Sequence, residues 1–202
     1  MSLKAAAVSE DRDMSEIEAA GQASAPADPP DLDDTVWAHP HIRRLMGLRA
    51  PAFILMLTVY SVIAKVLAFT LINPFLQPSS KDPLNAVLMA QRDGLAATFI
   101  VGILLAPILE TFLAQWLPIR IGRIFTHRPG VLIGLSTAVF AAMHLHAGTK
   151  GVALGVSVGL LLGCSFVHWQ RVSTGRAYWV TTAIHALHNG VALSVALLVM
   201  AR

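Results

Sequence analysis

Five apolar runs order the chain after residue 50: Pro51–Ile72, Leu95–Leu117, Val131–His146, Val152–Trp169 and Tyr178–Met200. A membrane-spanning helix needs roughly 20 apolar residues, with a range of about 17 to 25. The third run is the shortest. The pattern predicts an all-α, polytopic transmembrane helix bundle of about five spans. Asn73 to Arg92, broken by Pro74, Pro78 and Pro83, reads as a loop between the first two. Ile119 to Thr126 carries Arg120 and Arg123 on one flank and reads as an amphipathic continuation lying on the membrane surface. Gly155, Gly159 and Gly163 recur every four residues and make a smooth stripe for close backbone approach. That stripe predicts a central fourth helix, packed against a histidine-bearing neighbour.

Composition supports the same class. Of 202 residues, 55% are hydrophobic and 13% charged, where a soluble domain carries roughly a quarter charged residues. The charges separate into two objects. Residues 1–35 carry a net charge of −7 and residues 36–202 a net of +10. The first stretch, rich in Ala, Ser, Asp, Glu and Pro, cannot bury enough apolar surface to fold and is expected to be a disordered acidic tail. It reads as solvated, with docking of a protein partner through a short helix around Met14 to Ala20 as the alternative. Residues 36–50 form an interfacial lead-in with Trp37, Arg43, Arg44 and Arg49, and residues 51–202 the transmembrane domain.

The basic excess flanks the apolar runs. It therefore sets topology and meets anionic lipid, and no nucleic-acid partner is expected. Eight arginines fall on the side of the N-terminus and four basic residues opposite. That bias predicts a multi-pass protein of the cell (inner) membrane with its N-terminus cytoplasmic and its C-terminus outside. The first twenty residues lack a hydrophobic core, so the first span is expected to direct insertion. Lys65, two turns from the end of its span, is expected to snorkel outward. Cys164 stands alone and reads as a buried structural thiol.

The polar residues inside the runs carry the chemistry. Glu110 is the only acidic residue after Asp93, and a carboxylate at membrane depth is costly enough to mark a functional site. Helix positions four apart share a face. The fifth run thus offers His185 with Asn189, the third Phe140 with His144, and the second Thr111 with Gln115 beside Glu110. All should point into the bundle. Along-helix distances place Glu110 roughly 15 Å from Arg120 and His185 roughly 14 Å from Arg176. His144, roughly 24 Å from Arg128, is expected deeper. His188 reads as a further ligand or a hydrogen-bonded packing residue, and His146 as a loop residue.

Three segments, ETFLAQ from Glu110, FAAMH from Phe140 and HALHN from His185, resemble the CPBP family of intramembrane proteases, the CAAX-protease and bacteriocin-processing group. That family shows Glu-Glu-x-x-x-Arg, Phe-x-x-x-His and His-x-x-x-Asn in this order, and the likeness covers residues 95–197. The resemblance implies an endopeptidase acting on a membrane-associated peptide or protein, with no cofactor required. It assigns Glu110 as the base that activates water. His144, His185 and Asn189 then position that water and stabilise the oxyanion, with Thr111, Gln115, Phe140 and His188 supporting. The family's second Glu and its Arg are here Thr111 and Gln115, which are expected to replace an ion pair by a neutral hydrogen-bonding pair.

Other readings use the same residues. Glu110, His144 and His185 are a sufficient ligand set for zinc with an open position. Histidines of the third and fifth runs could ligate a b-type haem. A non-catalytic membrane subunit or chaperone would use the protease-like fold for binding alone.

Overall fold

The computed structural model describes residues 39–75 and 94–200, with side chains to residue 198. These residues all belong to the unit Leu32–Arg202. The acidic tail with its Met14 to Ala20 segment, Trp37, Lys81, Arg92 and Arg202 lie outside the described residues.

Prolines and polar breaks set the helix limits. Helix α1 spans Pro40–Met46 and α2 spans Ala50–Ile72, each with proline in its first turn, where the missing N–H breaks no intrahelical bond. Helix α3 runs Leu95–Phe125, α4 Pro129–Met143, α5 Gly148–Gln170 and α6 Thr174–Met200. The Ser173 hydroxyl accepts from the Arg176 N–H at 3.1 Å and caps α6. No strand occurs among the described residues. The segments Ala50–Phe75, Leu95–Phe125, Leu145–Gln170 and Thr174–Leu198 are long and apolar enough to cross a bilayer. The chain is a multi-pass membrane protein built as a helical bundle.

The third span differs from its expected limits. It begins at Pro129 and ends at Met143, 15 residues in all, or about 22 Å of helix. His144 falls outside it, in a bridge conformation with φ −95° and ψ 6°. A 3₁₀ turn, Leu145–Ala147, follows, and Gly148 at φ +71° reverses the chain into α5. That φ is open to glycine at no steric cost. Leu145 resumes the apolar pattern after His144, which is why the run extends to His146 in the sequence although the helix does not. The expected surface continuation, Ile119 to Thr126, is the last part of α3 itself.

Helix α3 is not α-helical throughout. Ile100–Leu105 and Thr111–Trp116 are π-helical. In each case the closing N–H reaches back five residues, Ala106 to Val101 and Leu117 to Phe112. Each is followed, after one further residue, by a proline, Pro107 or Pro118. Proline has no N–H to give. With the ladder shifted to a five-residue spacing, the missing donor of Pro107 falls opposite the Gly102 carbonyl. Glu110 sits at the end of the short α turn between the two π segments.

Helix α5 is the centre of the bundle. Half of its apolar window is buried, against 17% for α3 and 33% for α6. The glycine stripe makes this contact close. A Cβ on Gly155 would meet the Ala141 Cα at 3.0 Å, and one on Gly159 would meet the Phe140 ring at 3.1 Å. The stripe therefore packs on α4, the helix that leads into His144. Phe53 and Leu57 of α2, Ile119 of α3, Leu132 of α4, Phe166 of α5 and Ile184 of α6 fill the core between them.

Candidate active site

Helices α3 and α6 run antiparallel along a polar seam. Asn189 donates an amide hydrogen from Nδ2 to the Gly102 carbonyl at 2.9 Å. That carbonyl is the one Pro107 leaves without a helical donor, so the carboxamide completes the backbone of the π turn. One turn earlier on α6, His185 Nε2 lies 3.6 Å from Glu110 Oε2. This is ionic range and beyond a hydrogen bond. His185 is 2% exposed, whereas the Glu110 side chain is 25% exposed. The carboxylate is thus held against a buried imidazole with one side open. Removing the Asn189 amide strands the Gly102 carbonyl. Asn189→Ala is expected to cost about 1–3 kcal/mol of stability, measured as a lowered unfolding midpoint.

His144 reaches the same region by folding back. Its Nδ1 is 2.8 Å from the Phe140 carbonyl. A carbonyl only accepts, so in the neutral ring Nδ1 carries the hydrogen and Nε2 is a bare acceptor. The backward turn brings the ring toward Phe140, one turn nearer the middle of α4. The Phe140 ring then lies between two imidazoles, 4.7 Å from His144 and 5.4 Å from His185, centroid to centroid.

A cavity of about 570 Å³ opens on this cluster. His144, His185, Asn189 and Phe140 line it, together with His146 and His188. Glu110 does not. It was expected to share the wall with those residues, but it stands outside that lining, on α3 and 3.6 Å from His185. His144 and His146 are nonetheless within electrostatic reach of its carboxylate.

Several residues stand elsewhere than expected. Thr111 and Gln115 are both fully buried, yet neither the Thr111 hydroxyl nor either end of the Gln115 amide has a hydrogen-bond partner among the described residues. The neutral pair does not form, because both side chains fall within the π turn Thr111–Trp116, where the winding is no longer that of an α-helix. Lys65 does not snorkel outward; it lines the cavity. His146 lies in the exposed turn between α4 and α5, as expected of a loop residue. It donates from Nδ1 to the Met143 carbonyl at 2.9 Å and stacks on His144. His188 is bound through Nδ1 to the Ser61 hydroxyl at 2.9 Å. Ser61 was not singled out by the sequence, since nothing in its apolar run marks it. No group of three His, Cys, Asp or Glu side chains among the described residues is arranged to hold a metal ion. Glu110, His144 and His185 are separate in that sense.

Comparison with known proteins gives one match. Residues 92–191 match the family described as Rce1-like, type II CAAX prenyl endopeptidase Rce1-like. No curated protein and no solved structure matches the chain. The matched residues contain Glu110, His144, His185 and Asn189 in the order of the family's motifs. The chain belongs to the CPBP group of CAAX-type membrane proteases.

Proposed function

We propose that the chain is an intramembrane endopeptidase in which Glu110 activates a water against a peptide carbonyl of a membrane-associated substrate. The observation that carries this is the approach of Glu110 Oε2 to His185 Nε2 at 3.6 Å. A proton on Nε2 faces the carboxylate and fixes its orientation. A water on the open side of Glu110 transfers one proton to the carboxylate and hydrogen-bonds through its other hydrogen to the bare Nε2 of His144. Its oxygen then adds to the carbonyl carbon. The second amide hydrogen of Asn189, not committed to Gly102, supports the oxyanion, where a fixed dipole is worth more than in bulk water. When the C–N bond breaks, Glu110 returns its proton to the leaving amine. No metal is required for this sequence of steps. Topology by the arginine bias puts the N-terminus in the cytoplasm and the protein in the cell's inner membrane; the acidic tail then faces the cytosol, free for a protein partner.

The test is cleavage of lipid-anchored peptides by the full chain in liposomes, read by mass spectrometry. Product from wild type and none from Glu110→Gln supports the mechanism. Equal product from both removes Glu110 from the chemistry. No product from either assigns the fold to a binding role.

A further inference from the structure

Lys65 is the charge the mechanism leaves unused. It lies on α2, one turn beyond Ser61, and lines the cavity beside His188 and Asn189. Glu110 is the only carboxylate among the described residues, and it pairs with His185. No ion pair to Lys65 occurs among the described residues. A cation at membrane depth with no counter-charge is costly and is retained for a function.

Its surroundings keep that charge available. Ser61 donates its hydroxyl hydrogen to the Thr58 carbonyl at 2.7 Å, so it can only accept from His188 Nδ1. The hydrogen of the neutral His188 ring is thereby on Nδ1, and Nε2 is a lone pair. His188 is 2% exposed, and Nε2 has no partner among the described residues. Lys65 lies within electrostatic reach of this ring and of His185. A neutral imidazole near the ammonium adds no counter-charge. The rest of the wall is mostly apolar, with Val62, Val66, Phe69 and Leu154 among its members. An apolar cavity with one uncompensated ammonium fits an amphiphile that ends in an anion.

We infer that Lys65 is a specificity residue that binds a carboxylate of the substrate inside the cavity, near the His188 ring that Ser61 fixes. This rests on the protease reading for its biological meaning, and binding can be measured without cleavage. The probe is radiolabelled N-dodecanoyl-glycine against its primary amide, bound to the full chain in zwitterionic nanodiscs, with empty nanodiscs subtracted. Wild type should bind the acid roughly tenfold more tightly than the amide, as expected for one charge-assisted contact. Lys65→Met should abolish the preference, and Lys65→Arg should keep it, which guards against a misfolded variant. Glu110→Gln should also keep it, separating this site from the catalytic proposal. Equal affinity of wild type for acid and amide overturns the inference, as does a preference that survives Lys65→Met. Tighter binding of dodecyl phosphate than of the acid assigns the subsite to a lipid headgroup and overturns it too.

Discussion

His185→Gln lowers kcat by roughly 10²–10⁴-fold with little change in KM. The reasoning is geometric. His185 is one of many residues that line the cavity and is itself almost fully buried, so its replacement by an uncharged polar side chain is expected to leave substrate binding nearly intact. What it supplies is a fixed positive edge 3.6 Å from the carboxylate that must accept a proton from water. Losing one positioned acid–base partner costs about 10²–10⁴ in rate. The effect should appear equally in kcat and kcat/KM, the pattern of an interaction realised at the transition state. Stability should change little, because His185 Nδ1 has no hydrogen-bond partner among the described residues to lose. Steady-state kinetics on a lipid-anchored peptide, with thermal unfolding as control, decides it. A change confined to KM would make His185 a binding residue.

The second large effect concerns the two positions that depart from the family pattern. Gln115→Arg alone is expected to cost about 3–5 kcal/mol, since it leaves an uncompensated charge at a site with no exposure. Thr111→Glu alone should cost a comparable amount. The two together should recover about 1–3 kcal/mol of the summed loss, because Glu and Arg are longer than Thr and Gln and their opposite charges compensate each other. Gln115→Met should stabilise the protein, because it removes an amide whose two ends are both unpartnered. Unfolding midpoints of the four variants in mild detergent measure all three quantities. Strict additivity of the two charged changes would show that the π turn holds positions 111 and 115 too far apart to pair.

The apolar runs were readable because lipid demands them regardless of which face a residue occupies. Glu110, His144, His185 and Asn189 stood out for the same reason, being polar groups in hydrocarbon. The facing of α2 was not readable. Apolar residues surround that helix on all sides, so no stripe tells bundle from lipid, and Lys65 could as well have turned outward. The limit of α4 was hidden because Leu145 continues the apolar pattern past the point where the helix stops. Pro107 and Pro118 were visible, but only the backbone shows that each is preceded by a π turn. That turn spoils the four-residue logic at Thr111 and Gln115 and gives Asn189 a structural bond as well as a chemical task.

The brevity of α4 has a consequence for water supply. A rod of about 22 Å cannot match a hydrocarbon layer of about 30 Å. Lipid meets such a stub by thinning around it, which draws headgroups and solvent inward above His144 and the glycine reversal at Gly148. Hydrolysis inside a membrane is limited by delivery of its second reactant, and a dimple at this one corner would bring that reactant to the histidines without a full crossing of the oil.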